Sequence, residues 1–130
     1  MSFWKGKRIL VTGGTGFIGS HLVESLLLEG AVVRVCGRSH RDYDGVEYMV
    51  GDLMSRRFTR KACEEQEAVF HLAAKVAGVG YNSKHSGTIL FENASVGLNI
   101  LEAAAHCGVE RILLASSAFA LSISLSIGAL

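Results

Sequence analysis

The chain has 130 residues, 13 Lys and Arg against 12 Asp and Glu, and a formal net charge of +1. That length fits one domain that buries about two thirds of its unfolded surface, and the near-neutral balance excludes an electrostatic case for nucleic acid or an acidic membrane surface. Cys36, Cys63 and Cys107 are odd in number and far apart, which fits packed thiols in a reducing cytoplasm rather than a disulfide frame. No Cys/His spacing points to a metal. The first apolar run is too closely tied to the glycines after it to be a signal-peptide core.

Residues of about 7–12 carry Ile9, Leu10 and Val11, a short apolar run suited to a central parallel strand. Gly13, Gly16 and Gly19 follow in a G-x-x-G-x-x-G pattern, one residue longer in its first gap than the common dinucleotide fingerprint. A helix of about 16–29 comes next, closed by Gly30 at the C-cap position, and then a second strand of about 31–36. A strand, a glycine turn, a helix and a strand form a βαβ unit that brings backbone N–H groups and a helix N-terminus to a pyrophosphate. In this reading Gly13 lets the chain turn, Gly16 leaves no Cβ between backbone and phosphate, and Gly19 lets the helix pack tightly.

A polar turn with Asp44 and Gly45 leads to a third strand of about 46–50. A charged helix of about 54–64 carries Arg56, Arg57, Arg60 and Lys61, most simply a solvated face; Arg34, Arg38 and Arg41 make a second basic cluster. A fourth strand of about 68–72 and a small-residue loop of about 75–86 precede a long helix of about 87–107, with Leu90, Ala94, Leu98, Leu101 and Ala105 on one face. Gly108 ends it, and a fifth strand of about 111–115 follows. Strands separated by helical crossovers predict an α/β, doubly wound parallel sheet in the order 3-2-1-4-5, with helices on both faces. There is no internal repeat and no linker.

At the end of the second strand this architecture places an acid that holds the adenosine ribose of NAD. Here the position is Gly37, and Arg38 follows. A guanidinium without the acid suits a 2′-phosphate, hence NADP. If Arg38 is only a solvated loop residue, NAD binds through its other contacts.

Thr12-Gly-Gly-Thr-Gly-Phe-Ile-Gly19, Gly51-Asp-Leu53, His71-Leu-Ala-Ala74 and Leu114-Ala-Ser-Ser-Ala118 together resemble the extended short-chain dehydrogenases/reductases of nucleotide-sugar metabolism, over residues 7 to about 118. The loop Ala73-Ala-Lys-Val-Ala-Gly-Val-Gly-Tyr-Asn82 looks most like the GDP-mannose 3,5-epimerases and GDP-fucose synthases. The resemblance implies a Rossmann-like, NAD(P)-binding domain over 1–118, with residues 119–130 an atypical apolar and serine tail. It implies that Phe17 and Ile18 join the three glycines at the cofactor, and that Asp52 and Leu53 lie at the adenine. The Asp52 carboxylate is then an acceptor for the adenine amino group, a helix N-cap, or both. Leu72, Ala73 and Ala74 line the cofactor, or simply pack the strand end. Asn93 matches a position near cofactor and substrate. Lys75 is a ribose or phosphate ligand or a solvated lysine, while His71 and His21 are structural.

Family chemistry requires a Ser or Thr after the fifth strand, a Tyr as general acid/base, and a Lys four residues after that Tyr. Ser117 matches the first, with Ser116 one register away. Tyr43, Tyr48 and Tyr81 are followed four residues later by Glu47, Asp52 and His85, and all precede Ser117. Without that pair, proton transfer coupled to hydride transfer has no agent. The resemblance therefore implies a truncated enzyme, incomplete on the C-terminal side of its sheet, that holds a nicotinamide dinucleotide without turning over a nucleotide sugar. The alternatives are a non-catalytic sensor or regulatory module, and a non-functional fragment. Residues 112–130 carry no charge, close to the ~20 residues a bilayer span needs. The alternation of Leu121, Ile123, Leu125 and Ile127 with Ser122, Ser124 and Ser126 reads instead as an edge strand, with no membrane partner. Such an open, uncharged edge predicts marginal stability or self-association.

Overall fold

Ile9, Leu10 and Val11 are all fully buried, which a strand achieves only when both faces of its sheet are covered. In the computed structural model, which describes residues 2–75 and 84–115, they lie in β1 (Arg8–Thr12) at the centre of a five-stranded sheet. β2 (Val32–Gly37) and β4 (Ala68–His71) flank it, β3 (Val46–Val50) lies outside β2, and β5 (Arg111–Leu114) lies outside β4. Every pairing is parallel. The order β3-β2-β1-β4-β5 is the one the sequence predicts.

The strand period of two sorts the core into two layers. Ile9, Val11, Val33, Val35 and Ala68 face Val23 and Leu26 of α1 (Phe17–Leu28). Leu10, Cys36 and Val69 face the other way, against Ala62 and Cys63 of α2 (Arg56–Cys63) and Ile100 and Ala103 of α3 (Ser86–His106). α1 thus covers one face, and α2 with α3 the other. Cys36 and Cys63 are buried, half-buried Cys107 packs against the same cluster, and burial pushes the thiols of the first two up to about 12. They act as small apolar packing groups.

Two expectations need correction. The face of α3 marked by Leu90, Ala94, Leu98, Leu101 and Ala105 is exposed, with Leu98 66% accessible. The packed face is Val96, Ile100, Ala103 and Ala104. α3 has two apolar stripes, and the one with small residues wins because it lets the helix approach α2 and the sheet closely. Polar contacts hold that orientation: Arg56 and Arg60 both pair with Glu102, and Asn99 Nδ2 donates to the carbonyls of Leu53 (2.9 Å) and Met54 (3.1 Å). The basic face of α2 is therefore partly tied to α3 rather than wholly solvated. As the polar turn at Asp44 and Gly45 predicts, no helix joins β2 to β3. Residues 38–45 cross over as a loop, anchored where Tyr43 packs on the α1-side cluster and donates to Ser20 O at 3.3 Å.

Second, Arg34 is no part of an exposed basic cluster. It is 7% accessible, its Nε donates to Glu47 at 2.8 Å, and its Nη1 donates to the carbonyls of Ala62 and Glu64, each at 2.9 Å. One guanidinium thus binds β2 to β3 and satisfies carbonyls at the C-terminal end of α2, where unpaired acceptors and the helix dipole favour a cation. Arg34→Met keeps the bulk and strands those carbonyls. We expect it to lower unfolding stability by about 2–3 kcal/mol, read as a lower urea midpoint with an unchanged slope.

Candidate dinucleotide site

The sheet order reverses direction at β1, so the crevice beyond the C-terminal ends of β1 and β4 is the natural ligand position of this architecture. Its floor is made by contacts between the two strand ends. Thr12 and His71, paired in register, are both buried, and Thr12 Oγ1 lies 2.6 Å from His71 Nδ1. The same oxygen accepts the Ala73 N–H at 3.1 Å. Burial holds the His71 pKa below its ordinary 6.5. The ring nitrogen and the Thr12 hydroxyl share one proton across this contact, in the direction that the imidazole tautomer sets. His71 is structural, as expected, and its work is to fix Leu72–Ala74 beside the glycine loop.

The four glycines of the loop have separate reasons. Gly13 has φ +72°, and a Cβ there would lie 2.7 Å from Ala73 N. Gly14 sits where a Cβ would meet Val35 at 2.8 Å and Val23 at 3.2 Å. At Gly19 a Cβ would stand 2.0 Å from the carbonyl oxygen of Gly13. These three are demanded by the fold itself. Gly16 is different: its backbone is extended, and the nearest atom to a Cβ is Gly13 O at 3.3 Å. Its missing side chain leaves room that no other described residue takes up.

Gly16 is also the N-cap of α1, with no side-chain cap and no acidic residue in the first turn. Intrahelical bonding begins with Ser20 N–H to Gly16 O at 2.9 Å. The N–H groups of Phe17, Ile18 and Gly19 therefore have no intrahelical acceptor. They carry the positive end of the helix dipole toward the open side of Gly16. Phe17 and Ile18 are 84% and 71% accessible, so their contribution here is the backbone, with two apolar side chains standing at the rim.

The other predicted residues are spread around this rim. Arg38 is exposed just beyond β2. Asp52 is exposed, and its Oδ1 accepts the Met54 N–H at 2.9 Å. The N-cap of α2 is Ser55, not Asp52. Leu53 is 8% accessible and belongs to the core, which leaves little of it for a ligand. Leu72 packs on the α1-side cluster, Ala73 on the opposite one, and Ala74 is exposed. Asn93 clamps the chain after β4: its Oδ1 accepts the Lys75 N–H at 2.7 Å and its Nδ2 donates to Lys75 O at 3.2 Å. Lys75 itself pairs with Glu92 at 2.7 Å. Ser116, Ser117, Tyr81 and the 119–130 tail lie outside the described residues.

Sequence reasoning passed over Thr12, Gly14 and Asn99, whose partners lie on other elements. Gly51 is explained only in three dimensions too, since a Cβ there would fall 2.2 Å from the Phe58 ring. An open groove of about 1020 Å³ between α2 and the end of α3, lined by Arg57, Lys61, Glu64 and His106 among others, lies away from the glycine loop. No helix among the described residues is long and apolar enough to cross a membrane.

The packing separates two of the loop glycines. Gly19→Ala forces a methyl into the Gly13 carbonyl and should cost more than about 3 kcal/mol, whereas Gly16→Ala should stay within about 1 kcal/mol of the parent; urea unfolding of both distinguishes them. Because His71 resists protonation when folded, the unfolded chain binds the extra proton below about pH 6.5. Stability should therefore fall as the pH drops from about 7.5 to about 5.5, and less steeply in His71→Leu.

The profile of the NAD dependent epimerase/dehydratase family matches residues 9–121. GDP-mannose 3,5-epimerase 1 of Oryza sativa subsp. indica is 32% identical over 128 residues, covering 89% of this chain and 32% of that protein. The human sterol-4-alpha-carboxylate 3-dehydrogenase, decarboxylating, is 33% identical over 116 residues, covering 88% and 30%. The UDP-glucose 4-epimerase of Thermus thermophilus, solved as a complex with NAD, superposes with a TM-score of 0.74 at 38% identity, covering 85% of this chain and 37% of that one. The chain spans about a third of the length of the curated relatives it matches.

Proposed function

The chain belongs to the NAD dependent epimerase/dehydratase family, and from that premise we propose that it holds a nicotinamide dinucleotide with the pyrophosphate on the N-terminus of α1. The observation that carries this is Gly16. The fold explains Gly13, Gly14 and Gly19 without a ligand, but it leaves the Gly16 side of the loop open beside N–H groups that have no intrahelical acceptor. An anion at that place meets donors, the helix dipole and no Cβ. When bound, the nicotinamide supplies hydride transfer. The chain supplies the cradle: Phe17, Ile18 and Gly19 through their N–H groups, Ala73 and Ala74 along the edge of β4, and Asp52 at the adenine side.

The relatives support cofactor binding more than any one substrate. Proteins named for a nucleotide-sugar epimerase and for a sterol dehydrogenase match the same stretch at nearly equal identity. A stretch that matches proteins named for such different substrates is better explained by a common cofactor than by a common substrate. A nucleotide sugar remains the substrate class we assign to the full-length protein, on the resemblance of the 73–82 loop to the GDP-sugar branch. Within the 130 residues no Tyr has a Lys four positions later. We infer that this stretch binds without catalysing, with Ser117 as the single member of the catalytic set that it contains. Gly37 followed by Arg38 favours NADP over NAD, because a guanidinium pairs with a 2′-phosphate and no acid stands there to repel it.

The test is calorimetric titration of the purified chain with NAD and with NADP. Heat with saturation is expected for both, with tighter binding of NADP, and Gly16→Ala should weaken each by about tenfold or more while staying folded. Binding indifferent to Gly16→Ala would remove the site. Hydride transfer or epimerisation by the 130-residue chain alone would overturn the non-catalytic reading.

A further inference from the structure

Gly37 ends β2 at the rim of the crevice, and its carbonyl is held by the Gly51 N–H at 2.9 Å. Its lack of a side chain is no accident of composition. A Cβ built there would lie 2.5 Å from the Tyr48 hydroxyl oxygen and 3.6 Å from Tyr48 Cζ. Tyr48 stands on β3 opposite Val35, and its ring packs on the α1-side cluster. The phenol therefore runs diagonally along the sheet and brings its hydroxyl over Gly37. A shift of the ring away from such a Cβ would disturb its packing on that cluster and its edge contact with His40, 6.1 Å between centroids. Among the described residues the Tyr48 hydroxyl has no hydrogen-bond partner.

We propose that Tyr48 is the residue that sets dinucleotide specificity, by excluding an acid from position 37 and presenting its own hydroxyl, with Arg38, to a 2′-phosphate. This rests on the dinucleotide reading above and deepens it. An Asp or Glu at the end of β2 accepts hydrogen bonds from a ribose diol. A phenol in the same place donates one. Burial holds the Tyr48 pKa above its ordinary value, with Cys36 adding to the rise and Arg41 opposing it, so the proton stays on the oxygen. Arg41 acts on it electrostatically, exposed Arg38 follows Gly37 in the chain, and Asp42 is engaged by His40 at 3.0 Å. The balance favours a phosphate oxygen over a neutral hydroxyl. Tyr48 lies on a different strand from Arg38, so no linear motif around position 37 contains it.

The test is a two-by-two set, Tyr48→Phe and Gly37→Asp singly and together, each titrated with NAD and NADP and melted. Tyr48→Phe should weaken NADP by about tenfold and leave NAD nearly unchanged, the loss of one hydrogen bond to a charged group. Gly37→Asp alone should lower the melting temperature, because its Cβ meets the hydroxyl. In the Tyr48→Phe background that penalty should vanish, since Cζ is at ordinary contact distance, and the preference should turn to NAD. Equal effects of Tyr48→Phe on both dinucleotides, or equal destabilisation by Gly37→Asp in both backgrounds, would overturn the proposal and leave the dinucleotide reading standing. Binding of neither dinucleotide to the parent chain would overturn that reading, and this proposal with it.

Discussion

The site depends on one place where backbone meets backbone. Beyond the last residues of β1 and β4, Gly13 lies so close to Ala73 that a single methyl would not fit, and α1 lies equally close to the Gly13 carbonyl through Gly19. Thr12 and His71 lock the strand ends just beneath. The loop, the first turn of α1 and the edge after β4 are thereby fixed relative to one another. Donors held in place before a ligand arrives lose little entropy when it binds.

The same economy of space shapes the outer rim. Gly37 yields to the Tyr48 hydroxyl and Gly51 yields to the Phe58 ring. In both cases an aromatic side chain from a neighbouring element takes the room that a side chain would need. Asn93 and Asn99 do the corresponding polar work from α3, one clamping the chain after β4 and the other the chain after β3. α3 is thus less a core helix than a brace for the loops, which accounts for its orientation: the asparagines, Val96 and Ile100 face inward, and the larger leucines face out.

The fold was legible in the sequence because it is built from local signals. Ile9-Leu10-Val11 reads as a strand, Gly30 as a helix stop, and alternation of strands with helices as a parallel sheet; each survives in three dimensions within a residue or two. The misreadings share a cause, which is that they depend on contacts between elements. Arg34 looks like any surface arginine until β3 and the end of α2 are placed beside it. The leucine stripe of α3 is a sound amphipathic pattern, but a second stripe of smaller residues fits the available gap better. Asp52 has the composition of an N-cap, yet Ser55 is the residue at the right distance from the first turn of α2.

A glycine motif between a strand and a helix is commonly taken as a sign of phosphate, and here that inference can be divided. Positions 13, 14 and 19 must be glycine for β1, α1, β2 and β4 to meet as they do, so they would be needed in a protein of this shape that bound nothing. They speak for architecture. Position 16 has an extended backbone, and a Cβ there would stand 3.3 Å from the Gly13 carbonyl oxygen, a tight contact but a far looser one than at the other three. A Ser or Asp at this N-cap would supply the hydrogen bond that the first turn lacks, for a gain of about a few tenths of a kcal/mol. Glycine at 16 forgoes that bond and leaves the donors of the first turn open to a group outside the chain. The case for a ligand therefore lies in one residue and the turn that follows it, not in the motif as a whole.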